Sequence, residues 1–279
     1  MKNSKTLTNK ELRKMQLLQV DMLVELDRLC RKYDIKYTMS GGTMLGAIRH
    51  KGYIPWDDDA DINMLREEYE KFKKVANELN PSICFFQDHE TDKNYRWGYG
   101  KIRRTDTVFV RTGQEHINCK TGVYIDIFPF DDVPISLLGQ LLQDFKCFCL
   151  RKILWSEVGK KNETGLKKKW FEILSKIPVN FVYSCLKKDI EKSRNDSPNG
   201  VRTLLFPAIG HLYKKNPLKI RYAMPKKWYV ERAEYEFEGK KLFGAKDYDG
   251  YLKYVYGDYM TMPPKSKQIP KIMVSEFKF

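Results

Sequence analysis

Four carboxylates lie within five positions of this chain, and no other segment is better suited to chemistry. The segment reads WDDDADIN from Trp56 to Asn63. Like charges this close repel one another unless a cation neutralises them. In a strand, where side chains alternate between faces, Asp57, Asp59 and Asp61 share one face and the intervening apolar residues share the other. One face would then hold a metal ion while the other packs into a core.

A calcium loop is the first alternative for this segment. Asp57, Asp59 and Asp61 match positions 1, 3 and 5 of an EF-hand loop, and Glu68 matches position 12. Position 6 of that loop needs glycine for its sharp turn, and here it is the β-branched Ile62. A solvated acidic loop is the second alternative, but it does not explain why the charges run directly into an apolar stretch.

A magnesium site for phosphate chemistry is the third interpretation, and nearby residues support it. A glycine turn, Ser40-Gly41-Gly42-Thr43, precedes a helical pattern that begins at Met44. The free N–H groups and positive dipole at a helix start favour a phosphate. Arg49 follows as a cation that could balance phosphate charge.

A lone carboxylate much later in the chain is the natural partner of this site. Asp126 interrupts the β-branched and aromatic stretch from Gly122 to Phe130, and burying it is costly unless something pairs with it. An edge-strand Asp that faces water remains an equal alternative. Upstream, Tyr99, Lys101 and Arg103 alternate on one face of a strand-like segment.

The elements that must position these residues follow from hydrophobic periodicity. A Thr8-x-x-Glu11 capping box opens the first helix. Glycine and proline punctuation separates the other segments. The predicted helices are Asn9–Tyr33, Met44–His50, Arg66–Leu79, Leu137–Val158, Leu166–Ile177, Val179–Arg194 and Asp247–Tyr256, and the predicted strands are Ile35–Met39, Asp59–Leu65, Ser82–Gln87 and Gly122–Phe130, with strand character over Tyr95–Arg111 and a hairpin over Glu234–Phe243.

The whole-chain composition is that of a globular protein. The chain has 279 residues, of which 42% are hydrophobic and 13% aromatic. Its N-terminus is polar, and it contains no run of about 18 apolar residues; we therefore expect a cytoplasmic protein that does not span a membrane. Six cysteines without paired spacing and four scattered histidines argue against a zinc site.

The formal net charge of +15 predicts an anionic partner. No nucleic-acid-binding motif accompanies the charge, so nucleic acid is not expected. Residues 146–194 hold thirteen Lys or Arg against five Asp or Glu, interspersed with aromatic residues. This pattern suits contact with the inner face of the cell membrane, and it suits an ordinary helical subdomain equally well.

Three segments resemble the LicD family, which includes phosphorylcholine transferases of lipopolysaccharide and teichoic acid and is related to fukutin and fukutin-related protein. They are GGTMLGAIRHKGYIPWDDDADINM (Gly41–Met64), GVYIDIFPFDDVP (Gly122–Pro134) and FEGKKLFGAKDYDGYLKYVYGDYMTMPP (Phe237–Pro264). The resemblance implies an α+β fold: a nucleotidyltransferase-like core with a mixed sheet over residues 1–134. A basic helical subdomain would follow over 135–215, and a C-terminal hairpin and helix over 216–279 would pack back on the core.

The resemblance also implies roles for particular residues. The family's metal pair falls on Asp59 and Asp61, and its third carboxylate falls on Asp126. Asp57 is the candidate general base; its alternative roles are a further metal ligand or a residue that supports the ligands. The remaining assignments are a glycine turn and basic residues that contact phosphate: Ser40, Gly41, Gly42, Thr43, Arg49, Lys101 and Arg103.

The function implied is a Mg²⁺-dependent (or Mn²⁺-dependent) phosphotransferase. It would move phosphocholine or an alditol phosphate from a CDP-linked donor to a sugar hydroxyl of a glycan or lipid-linked oligosaccharide, releasing CMP. If choline is transferred, its ammonium group should meet aromatic faces; Tyr53, Trp56, Trp97 and Tyr99 are the candidates near the motifs. The alternative is a non-catalytic interaction protein that depends on Ca²⁺ or binds a membrane surface.

Overall fold

The fold is α+β, as predicted, with a mixed central sheet covered by helices. The computed structural model describes residues 4–194, 200–206 and 223–279. Two short 3₁₀ helices, Ala76–Glu78 and Lys265–Lys267, supplement the regular elements. The helices of the described residues are α1 (Asn9–Lys32), α2 (Gly41–His50), α3 (Arg66–Val75), α4 (Leu137–Asn162), α5 (Gly165–Leu174), α6 (Val179–Ser193), α7 (Lys227–Val230) and α8 (Tyr248–Tyr256).

The strands of the same residues form one central sheet and two smaller ones. They are β1 (Lys5–Thr6), β2 (Thr38–Met39), β3 (Asp61–Leu65), β4 (Cys84–Gln87), β5 (Gly100–Arg104), β6 (Val108–Arg111), β7 (Tyr124–Asp132), β8 (Gly200–Arg202), β9 (Met224–Pro225), β10 (Arg232–Phe237), β11 (Lys240–Ala245) and β12 (Met273–Lys278).

The central sheet runs in the order β2-β3-β7-β5-β4, and β8 and β9 extend it from the far end of β7. β3 and β7 are parallel, and the other pairs are antiparallel. β7 therefore lies in the interior of the sheet, between β3 and β5, and Asp126 is not an edge-strand residue. β1, β12 and β6 form a second sheet, and β10 and β11 form a hairpin.

Helix α1 lies across the core, and its start is capped as predicted. Thr8 and Glu11 exchange both bonds of a capping box, which satisfies N–H groups that the first turn leaves free. The buried face includes two polar residues that the periodicity did not single out, Gln16 and Gln19. Both of them hold the acidic segment, as described below.

Two element boundaries and one unpredicted strand differ from the sequence predictions in ways that affect the site. β3 begins at Asp61 and not at Asp59, so strand alternation does not place Asp57 and Asp59. Helix α2 begins at Gly41, so the glycine turn forms its first turn rather than preceding it. Strand β12 has no counterpart among the predictions, because Val274 is its one buried residue and a single apolar position does not mark a strand.

Among the described residues, apolar packing forms two hydrophobic clusters. The larger one joins α1, the central sheet and the C-terminal elements. The smaller one lies between α4 and α6 and includes Leu204 and Leu205. The predicted division at residue 134 stays a prediction, and the one at residue 215 lies outside the described residues. In the part of the chain that the structure describes, no helix has the length and apolar content needed to cross a bilayer.

Candidate active site

Three adjacent strands place two carboxylates and one ammonium group in a row across the sheet. Asp61 of β3 lies opposite Asp126 of β7, and Asp126 lies opposite Lys101 of β5. Residues directly opposed across a sheet have their side chains on the same face. Asp126 is only 8% exposed and accepts a hydrogen bond from the Lys101 ammonium in an ion pair. The lone strand carboxylate, Asp126, is therefore buried and paired. Its partner, Lys101, is a residue that the sequence analysis had also selected.

Asp57 and Asp59 lie in the loop before β3, and helix α1 positions that loop. The Gln16 amide donates to the carbonyl of Asp57 at 2.9 Å. The Gln19 amide donates to the carbonyls of Asp58 at 3.3 Å and Tyr124 at 3.0 Å. The acidic loop is thus tied by its backbone to α1 and, through Gln19, to β7.

Burial and mutual repulsion raise the pKa of three carboxylates in this loop and strand. The pKa of Asp57 is raised to about 8, and that of Asp59 to about 6. In both cases loss of water is the larger cause, followed by neighbouring carboxylates. The pKa of Asp61 is raised well above its usual range, first by burial and then by Asp59 and Asp126. The repulsion expected from the sequence is therefore present in the fold.

The donor set suits a hard cation, although it is not a closed cage. Carboxylate oxygens are the ligands that Mg²⁺ and Mn²⁺ prefer, and a bound cation would relieve the repulsion among Asp59, Asp61 and Asp126. Among the described residues, however, no three His, Cys, Asp or Glu side chains are already arranged as metal ligands. In this arrangement Lys101 supplies the positive charge at Asp126. The assignment of these three aspartates as metal ligands stays a prediction.

The glycine turn at the start of α2 is in direct contact with the acidic loop. A Cβ atom added to Gly42 would lie 2.4 Å from a carboxylate oxygen of Asp57. The hydroxyl of Thr43 accepts a hydrogen bond from the backbone N–H of Asp61 at 2.9 Å. The turn and the carboxylates therefore belong to one site. A phosphate bound at this turn would have to share it with the Asp57 carboxylate.

Helix α8 closes the other side of the turn. The Tyr251 hydroxyl accepts a hydrogen bond from the N–H of Gly41 at 2.8 Å and lies 3.5 Å from the hydroxyl of Ser40. A Cβ atom at Gly41 would lie 3.5 Å from the Tyr256 hydroxyl. Gly41 has a φ of +46°, a conformation in which glycine is strongly favoured. One N–H group of the glycine turn, which was predicted to bind a phosphate, thus already donates to a tyrosine hydroxyl.

Arg49 lies in the last turn of α2, at the opposite end from the glycine turn. Its guanidinium donates to the carbonyl of Tyr259 at 2.7 Å. The structure therefore does not bring Arg49 together with the turn, and its contact with phosphate stays a prediction.

A small basic cavity adjoins the row of charged residues. Its walls include the cations Lys101, Arg103 and Arg111 and the aromatic rings of Tyr99 and Tyr124. The Lys101 ammonium lies 3.4 Å from the centre of the Tyr124 ring. Burial lowers the pKa of Lys101 to about 8, with Asp126 opposing this effect and the two arginines adding to it. Three cations around one cavity indicate a binding place for an anion.

Arg103 is held rigidly at this cavity. Its guanidinium donates to the carbonyl of Gly122 at 2.8 Å and to the side-chain oxygen of Gln87. A planar guanidinium fixed by two acceptors presents its remaining N–H groups in a set direction. This suits a group that meets a phosphate oxygen.

Comparisons with known proteins bear directly on this site. Residues 34–148 match the family described as LicD/FKTN/FKRP, nucleotidyltransferase domain. The chain contains a domain of the LicD family. This LicD domain includes every sequence-predicted site residue, from Ser40 to Asp126.

Individual relatives extend the similarity beyond the LicD domain. The chain is 29% identical to the lipopolysaccharide cholinephosphotransferase LicD of Haemophilus influenzae, over 93% of this chain and 95% of that protein. It is also 41% identical to an uncharacterized protein of Rickettsia typhi, and 45% identical to one of Rickettsia prowazekii. Those two matches cover only 19% and 17% of this chain, and 18% of each relative.

Several residues that shape the site lie outside the LicD domain or escaped the sequence analysis. The polar pair on the buried face of α1 was visible as two glutamines inside an apolar stripe. The tyrosines of α8 and the Arg111 guanidinium gave no such signal, because only tertiary contact brings them to the site. These residues are Gln16, Gln19, Arg111, Tyr124, Tyr251 and Tyr256.

The four aromatic residues considered for an ammonium group lie in different surroundings. Trp97 and Tyr99 line the basic cavity. Tyr53 is buried and packs edge-to-face on Phe237, with ring centres 5.0 Å apart. Trp56 faces His50 instead, at 6.4 Å. Trp97 and Tyr99 are therefore the two candidates that share a cavity.

Proposed function

We propose that this protein transfers a phosphorylated alcohol, phosphocholine or an alditol phosphate, from a CDP-linked donor to a sugar hydroxyl and releases CMP. The observation that supports the proposal most is the row of Asp61, Asp126 and Lys101 across three adjacent strands. The similarity to a lipopolysaccharide cholinephosphotransferase favours phosphocholine as the group transferred. The acceptor would be a surface glycan or a lipid-linked oligosaccharide.

The chain's own residues divide the work of substrate binding. Lys101, Arg103 and Arg111 meet the negative charge of the donor diphosphate, since they line one cavity. Asp59, Asp61 and Asp126 would hold Mg²⁺ or Mn²⁺. A divalent cation bound there neutralises diphosphate charge and favours departure of the nucleotide.

The transfer step is a displacement at the phosphorus that carries the alcohol. The acceptor hydroxyl oxygen forms a new bond to this phosphorus, and the bond between this phosphorus and the bridging oxygen breaks, so that CMP leaves with that oxygen. Asp57 accepts the hydroxyl proton, because its carboxylate lies against Gly42 beside Asp61. The fixed guanidinium of Arg103 stabilises charge on the phosphoryl oxygens.

A donor screen monitored by CMP release tests the proposal. CDP-choline, CDP-ribitol and CDP-glycerol are offered in turn with Mg²⁺ or Mn²⁺ and with glycan acceptors. We expect turnover with one donor class and a loss of roughly a hundredfold or more in Asp126→Asn. Asp132→Asn is the matched control, because Asp132 lies on the same strand but pairs with Lys226 at 2.9 Å.

Two results would contradict the proposal. One is absence of CMP release with every donor, combined with calcium binding or a purely physical interaction with membranes. The other is unchanged turnover in Asp126→Asn, which would show that the row of charged residues is not the catalytic site.

A further inference from the structure

The first half of helix α4 presents an unusually apolar surface to solvent. Leu138, Leu142 and Phe145 are 66%, 61% and 68% exposed. Large apolar side chains exposed side by side are uncommon on a protein that contacts only water. The apolar stripe comprises Leu137, Leu138, Leu141, Leu142, Phe145 and Phe148.

Helical geometry places the apolar stripe on one side of α4. Its members recur at intervals of one, three or four residues, which lie on one face of a helix. The opposite face is buried at Gln143, Cys147 and Leu150. The apolar stripe is therefore a second apolar face, distinct from the one that packs into the protein.

The charged residues in this half of α4 turn away from the apolar stripe. Asp144 accepts a hydrogen bond from Arg202 at 2.9 Å, and Lys146 donates to Asp189 at 2.7 Å. Lys152 comes one turn after the stripe, with its ammonium 5.3 Å from the centre of the Phe148 ring. A cation thus stands at the end of an otherwise uncharged surface.

Helix α5 repeats the arrangement on a shorter scale. Leu166, Trp170 and Ile173 share one face by their spacing and are 85%, 43% and 64% exposed. Lys167 and Lys169 lie on the two sides of this face, each within about 100° of it around the helix axis. Apolar side chains flanked by lysines, with a tryptophan among them, are typical of helices that lie in a membrane interface.

We propose that the exposed faces of α4 and α5 dock this protein on an anionic lipid bilayer. The charge of the region selects this partner, since residues 146–194 carry thirteen Lys or Arg against five Asp or Glu. Lysines near an anionic bilayer and apolar side chains entering its surface both favour binding. The docking is peripheral and does not depend on the chemistry at the carboxylate row.

Vesicle flotation with the full-length protein tests this docking. The probes are vesicles of phosphatidylethanolamine and phosphatidylglycerol in equal amounts, with pure phosphatidylcholine as the neutral comparison. We expect binding to the anionic vesicles that weakens as salt is added. The affinity of the variant Leu142→Ser/Phe145→Ser for anionic vesicles should fall by at least roughly tenfold. The affinity of Lys167→Glu/Lys169→Glu should fall by roughly fivefold for each lysine replaced.

Matched controls remove equivalent groups elsewhere. Leu17→Ser/Val24→Ser removes two exposed apolar residues of α1, and Lys240→Glu/Lys241→Glu reverses two exposed charges of β11. Both controls should bind vesicles as the unaltered protein does. Circular dichroism melting shows whether each variant is folded.

Three outcomes would overturn the docking proposal. The first is failure of the unaltered protein to float with anionic vesicles at low salt. The second is equal loss in the test and control variants. The third is a dimer in solution that Leu142→Ser/Phe145→Ser dissociates, because the apolar stripe would then bind a second copy of this chain.

Discussion

At the scale of single residues, the site solves the problem of burying negative charge by pairing across strands. Asp126 is buried in the middle of a sheet, where an unpaired carboxylate would be costly. Lys101 on the neighbouring strand supplies the compensating charge, and Asp61 on the other neighbour adds a second carboxylate. One ammonium group cannot neutralise two carboxylates. The site therefore keeps a net negative charge, which a further cation would neutralise.

Gly42 is the residue whose substitution should report most directly on the acidic loop. In Gly42→Ala the new methyl group would meet the Asp57 carboxylate at 2.4 Å, and the carboxylate must move. We expect turnover to fall by at least roughly tenfold, because a small displacement of a proton acceptor is costly. Steady-state CMP release measures the change.

A double-mutant cycle separates this effect from general damage to the fold. If Gly42→Ala acts through Asp57, the double variant Gly42→Ala/Asp57→Ala should be no slower than Asp57→Ala alone. Additive losses in the cycle would show that the glycine serves another purpose. Unfolding by denaturant checks that each variant remains folded.

At the scale of elements, the sequence predicted what depends on local pattern. The limits of α1 follow from its capping box and its apolar period, and the observed helix, Asn9–Lys32, agrees with the prediction to one residue. The strand before Gly41 and the helix after it were also predicted, although the two glycines belong to the first turn of that helix. Such features depend on residues a few positions apart, which is the range that periodicity reports.

The parts that the sequence did not reveal depend on contacts between distant segments. β3 begins at Asp61 because Gln16 and Gln19 hold the preceding residues in a loop. Tyr251 reaches Gly41 across a separation of 210 residues. No local pattern encodes these contacts. The sequence therefore predicted which residue types form the site, but it did not predict the loop that carries Asp57 and Asp59.

The β10–β11 hairpin is fastened to the core through its turn, and that contact makes a prediction about pH. Glu238 accepts hydrogen bonds from Arg13 at 2.8 and 2.6 Å and from the N–H of Tyr53 at 3.0 Å. The Arg13 guanidinium, as the largest cause, lowers the pKa of Glu238. Its stabilising effect is therefore fully present above the unfolded-state pKa, and it is lost as the pH falls through the lower folded-state value.

The variant Glu238→Gln should be less stable by about 1 kcal/mol at neutral pH, since the pair is partly exposed. The difference from the unaltered protein should shrink as the pH is lowered below about 4. Urea unfolding at several pH values measures it. Glu236→Gln, at an exposed position of β10 two residues before Glu238, should show little change, and a pH-independent difference for Glu238→Gln would contradict the ion-pair explanation.

At the scale of the whole molecule, the two ends of the described chain pair with each other, and the C-terminal segment contacts the acidic loop. β12 pairs with β1 on one side and with β6 on the other. Just before β12, the N–H groups of Lys271 and Ile272 donate to the Asp58 carboxylate at 2.7 and 2.8 Å. Asp58 is the one aspartate of the acidic run that holds the C-terminal segment, and so it ties that segment to the loop that carries Asp57 and Asp59.

Removing residues 270–279 should therefore impair catalysis, although these residues include none of the proposed catalytic groups. Without the two N–H groups, Asp58 is free to turn toward its acidic neighbours, and the loop loses its support from the C-terminal segment. We expect turnover to fall by roughly a hundredfold and hydrogen exchange of the backbone around residues 57–60 to accelerate. Removing only residues 278–279 retains both bonds to Asp58 and should leave both measurements close to those of the full chain. Full activity of the longer deletion would show instead that Gln16 and Gln19 position the acidic loop without help from the C-terminus.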